Sequence, residues 1–283
     1  MKCDEINIRD PFILNDNGKY YLYGTRAADF GIKTGGFDVY VSSDLVNWSE
    51  AKECFNSVEN GLNTAVNWAP EVHKYNGTYY MLATFTKPNN LRGTYILKAD
   101  NPEGPFVMHS DGAVTPYEWE CLDGTLFIDS DNKPYIVFCH EHTQIIDGTI
   151  CYAQLSDDLT KIIGEPVTLF SGSSPFWADR KPEGEHYITD GPFMFRTKTN
   201  ELLMIWSSFI SHNYVEAVVR FKDGRLNTNF EHLNPIITDD GGHGMIFEAD
   251  NKLYLTFHSP NQTGFERVRL IEIEDKGNSI AVK

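Results

Sequence analysis

The chain has no CxxC pair: its five cysteines (Cys3, Cys54, Cys121, Cys139, Cys151) are odd in number and widely spaced. Neither a zinc cluster nor a dithiol redox motif is in view, and free thiols in a reducing compartment are expected. No run of about 18 apolar residues could cross a membrane. The start, MKCDEINIRDPF, lacks an apolar h-region, so a soluble, cytoplasmic chain is expected. Cations are scarce, with 24 Lys+Arg against 40 Asp+Glu and a net charge of −16. That balance repels polyanions, which excludes nucleic acid and anionic membrane surfaces as partners. Linkers rich in Pro, Gly or Ser are missing, as are amphipathic helical stretches of useful length, and one domain over residues 1–283 is expected. Aromatics are plentiful, with 5 Trp, 14 Tyr and 18 Phe. They supply a substantial core and, with the carboxylates, suit neutral sugars as partners.

One phrase recurs five times. A polar turn precedes a short aromatic or apolar strand in NGKYYLYGT (17–25), NGTYYMLAT (76–84), NKPYIVFCH (132–140), NELLMIWSS (200–208) and NKLYLTFHS (251–259). From Asn to Asn the spacings are 59, 56, 68 and 51 residues. A second short strand runs ahead of each copy, so each unit contains a hairpin with a tip suited to positive φ. Further runs with partial period-2 alternation lie between the hairpins, among them FDVYVSSDL, TICYAQLSDDL and FERVRLIEI. Three or four strands per unit and five units predict an all-β, five-bladed β-propeller. A two-sheet sandwich would not explain why one phrase returns five times.

The innermost strands of a propeller surround a central channel, and their starts converge at one mouth. The starts are Arg9-Asp10-Pro11-Phe12, Trp68-Ala69-Pro70-Glu71, Leu122-Asp123-Gly124-Thr125, Thr189-Asp190-Gly191-Pro192 and Gly242-His243-Gly244. Four carry a carboxylate and the fifth a histidine. Asp-Pro and Asp-Gly are ordinary turn dipeptides, but turn chemistry does not demand Asp at the same repeat position three times. Carboxylates crowded into one mouth repel each other and drive their pKa values apart, as acid/base chemistry requires.

The segments RDPF (9–12), NWAPEV (67–72), LDGTLFID (122–129), TDGPF (189–193) and GGHGMIF (241–247) resemble glycoside hydrolase family 43 over roughly residues 6–260. The resemblance implies a five-bladed propeller that removes arabinofuranose or xylose from plant-cell-wall oligosaccharides by inversion. It implies Asp10 as general base, Asp123 as the acid that orients the proton donor and raises its pKa, and Asp190 as general acid. The family's usual residue at the last position is Glu, and Asp is one methylene shorter. Inversion needs the two reacting carboxyls roughly 6.5–9.5 Å apart, with water between base and sugar. Endo-acting arabinanase or xylanase, a carbohydrate-binding propeller with weak or lost catalysis, and a phosphorylase are the rival readings. The last lacks an Arg/Lys cluster for phosphate at the blade starts.

Trp68 is expected to stack on a sugar face. His243, between glycines, lies where the family often holds an axial metal or a water; any calcium there would be coordinated mostly by water, and no cofactor is otherwise required. Glu71 is expected in a structural ion pair and Trp206 in the core. Arg9, next to Asp10 on a strand, is expected to point away from it. The segment 172–187 is expected to wall the site.

Overall fold

The computed structural model describes residues 1–29, 35–62, 66–180 and 184–283. Five four-stranded antiparallel sheets form the blades of a propeller. Blade one holds β1 (Ile8–Asp16), β2 (Lys19–Arg26), β3 (Phe37–Ser42) and β4 (Lys52–Phe55). Blade two holds β5 (Asn67–Tyr75), β6 (Thr78–Thr86), β7 (Arg92–Ala99) and β8 (Val107–Met108). Blade three holds β9 (Cys121–Ile128), β10 (Pro134–His140), β11 (Thr149–Leu155) and β12 (Ile162–Ser171). Blade four holds β13 (Asp190–Arg196), β14 (Leu202–Ile210), β15 (Asn213–Phe221) and β16 (Phe230–His232). Blade five holds β17 (Gly242–Ala249), β18 (Lys252–Ser259), β19 (Arg267–Asp275) and β20 (Ile280–Val282). Each sheet is a plain meander, its strands ordered as they occur in the chain.

The recurring phrase is the first hairpin of each blade. Asn17-Gly18 and Asn76-Gly77 are two-residue tips with both residues at positive φ, and Asp250-Asn251 does the same in blade five. That conformation matches the twist of the strands it joins. Blades three and four use five-residue tips, Asp129–Lys133 and Thr197–Glu201.

Apolar residues between neighbouring sheets form the core. Strand β14 reads as an almost unbroken apolar run because both its faces are covered. Trp206 is fully buried there, against Phe170 at 5.0 Å and Trp177 at 5.5 Å, which settles it as a core residue. Truncating it would cost about 3–5 kcal/mol. In the segment 172–187, residues 181–183 lie outside the described residues; Trp177 turns inward and donates from Nε1 to the Leu233 carbonyl at 3.0 Å.

Blade one meets blade five through side chains. Asn7 donates to the carbonyls of Gly264 and Glu266, and Arg9 pairs with Glu266 at 3.0 Å. All five cysteines are free. Among the described residues, no helix is long and apolar enough to cross a membrane.

Candidate active site

Every innermost strand breaks its ladder at the same place. The register slips after Arg9, Trp68, Leu122, Asp190 and Gly242. The following residues, Asp10, Ala69, Asp123, Gly191 and His243, have φ of +54°, +46°, +55°, +51° and +52°. A Pro or Gly comes next in all five. Each is a β-bulge with a left-handed residue, a device that turns a side chain out of the pleat and toward the axis. For a non-glycine residue this backbone costs about 1–2 kcal/mol, so the rest of the fold must hold it.

What holds it is a ring of hydrogen bonds between blades. Thr25 Oγ1, on β2, accepts from the Ala69 amide at 2.7 Å. Thr84 Oγ1 accepts from the Asp123 amide at 3.1 Å, and Ser207 Oγ from the His243 amide at 2.7 Å. His258 Nδ1 accepts from the Asp10 amide at 3.2 Å. In blade three the equivalent residue is Cys139, and the Gly191 amide donates instead to Asp123 Oδ2 at 3.1 Å.

This register corrects the expectation that the acids share one repeat position. Asp10 and Asp123 do, with His243. Asp190 stands one residue earlier, level with Arg9 and Trp68. Glu71 stands two residues after the Ala69 bulge and pairs with His73 at 2.9 Å, the structural role expected of it. Arg9 departs from expectation: its Nε lies 3.6 Å from Asp10 Oδ1, because the bulge cancels the alternation that would have separated them.

The three aspartates, His243 and Trp68 line one cavity of about 510 Å³, a size suited to a small organic ligand. His243 Nδ1 sits 3.2 Å from Asp10 Oδ1 and 3.7 Å from Asp123 Oδ2. Burial disfavours its charge, but Asp10, Asp123 and Asp190 outweigh that and push it up to about 9, so the ring is an imidazolium. Asp10 is buried too, yet His243, Arg9, His258 and a hydrogen bond from Thr25 Oγ1 at 2.7 Å hold it down at about 2. Its Oδ1 accepts no hydrogen bond among the described residues. Burial and Arg9 keep His258 neutral, at about 3, consistent with Nδ1 accepting from the Asp10 amide. Asp123 and Asp190 are both pushed up, chiefly by burial. Tyr214 donates to Asp190 Oδ2 at 2.9 Å.

Among the described residues, no group of three His, Cys, Asp or Glu could hold a metal ion, so any cation at His243 would take its other ligands from water.

Reading only the first strand of each hairpin missed the residues contributed by neighbouring strands. Tyr214, Arg92 and Glu141 also line the cavity. Glu141 follows the end of β10 and is 5% exposed. It accepts from the His142 amide at 2.8 Å and meets Arg92 Nη2 at 2.9 Å. Arg92 also pairs with Glu120 at 2.9 Å, and its guanidinium lies 5.2 Å from the Trp68 ring centre. The signal was available: second strands end where first strands begin, at the same mouth.

A catalytic propeller with carboxylates ringed about its axis is the class that this geometry defines. The sequence model described as "Glycosyl hydrolases family 43" matches residues 5–274, and the chain belongs to that family. The crystal structure of an endo-arabinase from Bacteroides thetaiotaomicron is similar over 99% of this chain and 98% of its own, with 33% identity and a TM-score of 0.90. A β-xylosidase of Bacillus subtilis is 23% identical over 88% of this chain and 47% of its own length. An extracellular endo-α-(1→5)-L-arabinanase of the same organism is 22% identical over 86% of this chain and 54% of its own. The chain thus spans about half the length of these two curated relatives.

Proposed function

We propose that the protein is an inverting glycoside hydrolase that releases α-L-arabinofuranose or β-D-xylose from oligosaccharides of plant cell walls. The observation that carries this reading is the convergence of Asp10, Asp123 and Asp190 on one sugar-sized cavity, with Asp10 held ionised and the other two pushed toward protonation.

Asp10 acts as general base. Its carboxylate draws a proton from water as the water oxygen attacks the anomeric carbon. Asp123, tied to the Gly191 amide and facing His243, fixes the acid arm opposite and sets its charge. The leaving oxygen takes its proton from that arm, where Asp190 holds the family's donor position and Glu141 lies within range of its charge. Trp68 offers an indole face to the sugar, and His243 forms the floor while holding Asp10 and Asp123 in place. The five free thiols support a reducing, cytoplasmic setting. An endo-acting arabinanase is the second reading, favoured by the 33% identity to a protein described as an endo-arabinase.

Hydrolysis of nitrophenyl α-L-arabinofuranoside and β-D-xyloside, followed by proton NMR for the first-formed anomer, tests the proposal. Inversion is expected, with turnover lost in Asp10→Asn. Retention, or an unaffected Asp10→Asn variant, would overturn it.

A further inference from the structure

We infer that Glu141, rather than Asp190, hands the proton to the leaving oxygen; this deepens the hydrolase reading and rests on it. Asp190 is one methylene shorter than the donor the family uses. Its Oδ2 is engaged by the Tyr214 hydroxyl, and the amide of the next residue is tied to Asp123. The Tyr214 hydroxyl holds that oxygen at the cavity wall, and the shorter side chain has less reach toward the bond to be cleaved. Glu141 has the longer side chain, lines the same cavity and reaches it from blade three.

Its surroundings suit a donor before and after transfer. Arg92 is shared between Glu120 and Glu141, so one guanidinium faces two carboxylates and cannot neutralise both. Burial pushes Glu141 up to about 7; Arg92 opposes this, while Asp190 and Glu120 add to it. The acid is thus protonated over much of the working range of a neutral-pH enzyme. On transfer, the proton leaves the Glu141 carboxyl for the glycosidic oxygen as its bond to the anomeric carbon breaks. Water supplies the new carbon–oxygen bond and gives its proton to Asp10. The carboxylate left on Glu141 is received by the Arg92 guanidinium and the His142 amide, already placed at 2.9 and 2.8 Å. Solvent returns the proton to Glu141 and removes the one on Asp10. Asp190 is then a positioning residue, which in its ionised form favours the protonated state of Glu141.

Leaving-group dependence separates the two acids. A missing donor cripples cleavage of substrates with poor leaving groups and spares those with acidic phenols. Glu141→Gln, Glu141→Asp, Asp190→Asn and Asp10→Asn are compared on dinitrophenyl α-L-arabinofuranoside or β-D-xyloside and on the matching disaccharide, arabinobiose or xylobiose, across pH. Glu141→Gln is expected to lower kcat/KM on the disaccharide by about 10²- to 10⁴-fold and to change the dinitrophenyl rate far less. It should also lose the alkaline limb near 7. Retained dinitrophenyl turnover shows that the variant is folded, and Glu141→Asp should recover part of the disaccharide rate. Asp190→Asn should lower both substrates together and move the alkaline limb to lower pH. If Asp190→Asn shows the leaving-group selectivity and the lost limb, while Glu141→Gln falls equally on both substrates, the inference is overturned. If Asp10→Asn leaves both substrates unaffected, the hydrolase reading itself fails, whichever acid is the donor.

Discussion

The amide of Gly191 donates to Oδ2 of Asp123 at 3.1 Å, at the one seam where the ring of inter-blade hydrogen bonds has no hydroxyl or imidazole to use. At this seam the bond that joins two blades and the carboxylate that faces the substrate are the same group. Asp123 is therefore both a seam residue and a site residue, and disturbing one role disturbs the other.

Gly191→Ala should be severe. The position has φ +51°, and an added Cβ would lie 2.6 Å from the His243 ring. Left-handed strain and the clash together predict a loss of about 2–4 kcal/mol, with turnover lost as well. Thermal melting and kcat/KM measure the two effects; a variant that melts within a degree of the parent would contradict the geometry.

Thr25→Val removes a group that donates to Asp10 and accepts from the Ala69 amide. A stability loss of about 1–3 kcal/mol is expected for the stranded partners. With one hydrogen bond fewer, the Asp10 carboxylate is less favoured, so the acid limb of the pH–rate profile should move to higher pH. An unmoved limb would show that Asp10 does not control it.

His243 ties stability to pH on the alkaline side. Its value rises from 6.5 to about 9 on folding. The contribution is complete below about 6.5 and fades as pH climbs through 9, and is worth about 3 kcal/mol. Asp10 works in the opposite sense. Held down from 3.8 to about 2, it contributes above 3.8, and that contribution is lost as pH falls through 2. Melting temperatures of the parent and His243→Gln between pH 6 and 10 should converge as pH rises; parallel curves would rule the linkage out.

Lys87 is a buried ammonium that donates to the carbonyls of Pro116, Tyr117 and Trp119. Together they hold the segment that carries Glu120, the partner of Arg92. Lys87→Met should destabilise by about 1–3 kcal/mol as these carbonyls lose their donor. It should also loosen the Arg92–Glu120 pair, visible as an altered pH dependence of hydrolysis. Unchanged melting would show that the segment holds without it.

The blade count and the mouth residues were legible because strand length, turn chemistry and aromatic content repeat together. The register was not. Aligning the five phrases on their Asn residues ignores that blades three and four close their first hairpins with five residues, and that in blade five the turn begins at Asp250, one residue before Asn251. Each change moves the mouth end of the second strand by one position relative to the phrase. Asp190 looked equivalent to Asp10 and Asp123 because a Pro or Gly follows each of the three; in blade four, however, the left-handed bulge residue is Gly191 itself. Arg9 was misjudged because alternation holds only for regular strands, and a bulge cannot be told from a regular Asp-Pro start by spacing alone. Glu141 was missed because it lies one residue beyond the recurring phrase, at the mouth end of β10, and attention went to the first strands alone.

Blade one is joined to blade five by the polar contacts of Asn7, Arg9 and Asp10 with distant partners, alongside apolar packing such as Tyr20 on Phe247, with no strand exchanged between the two sheets. Two of those three residues, Arg9 and Asp10, also border the cavity. Warming or mild denaturant should therefore silence the enzyme early, by parting this join, while circular dichroism still reports intact sheets.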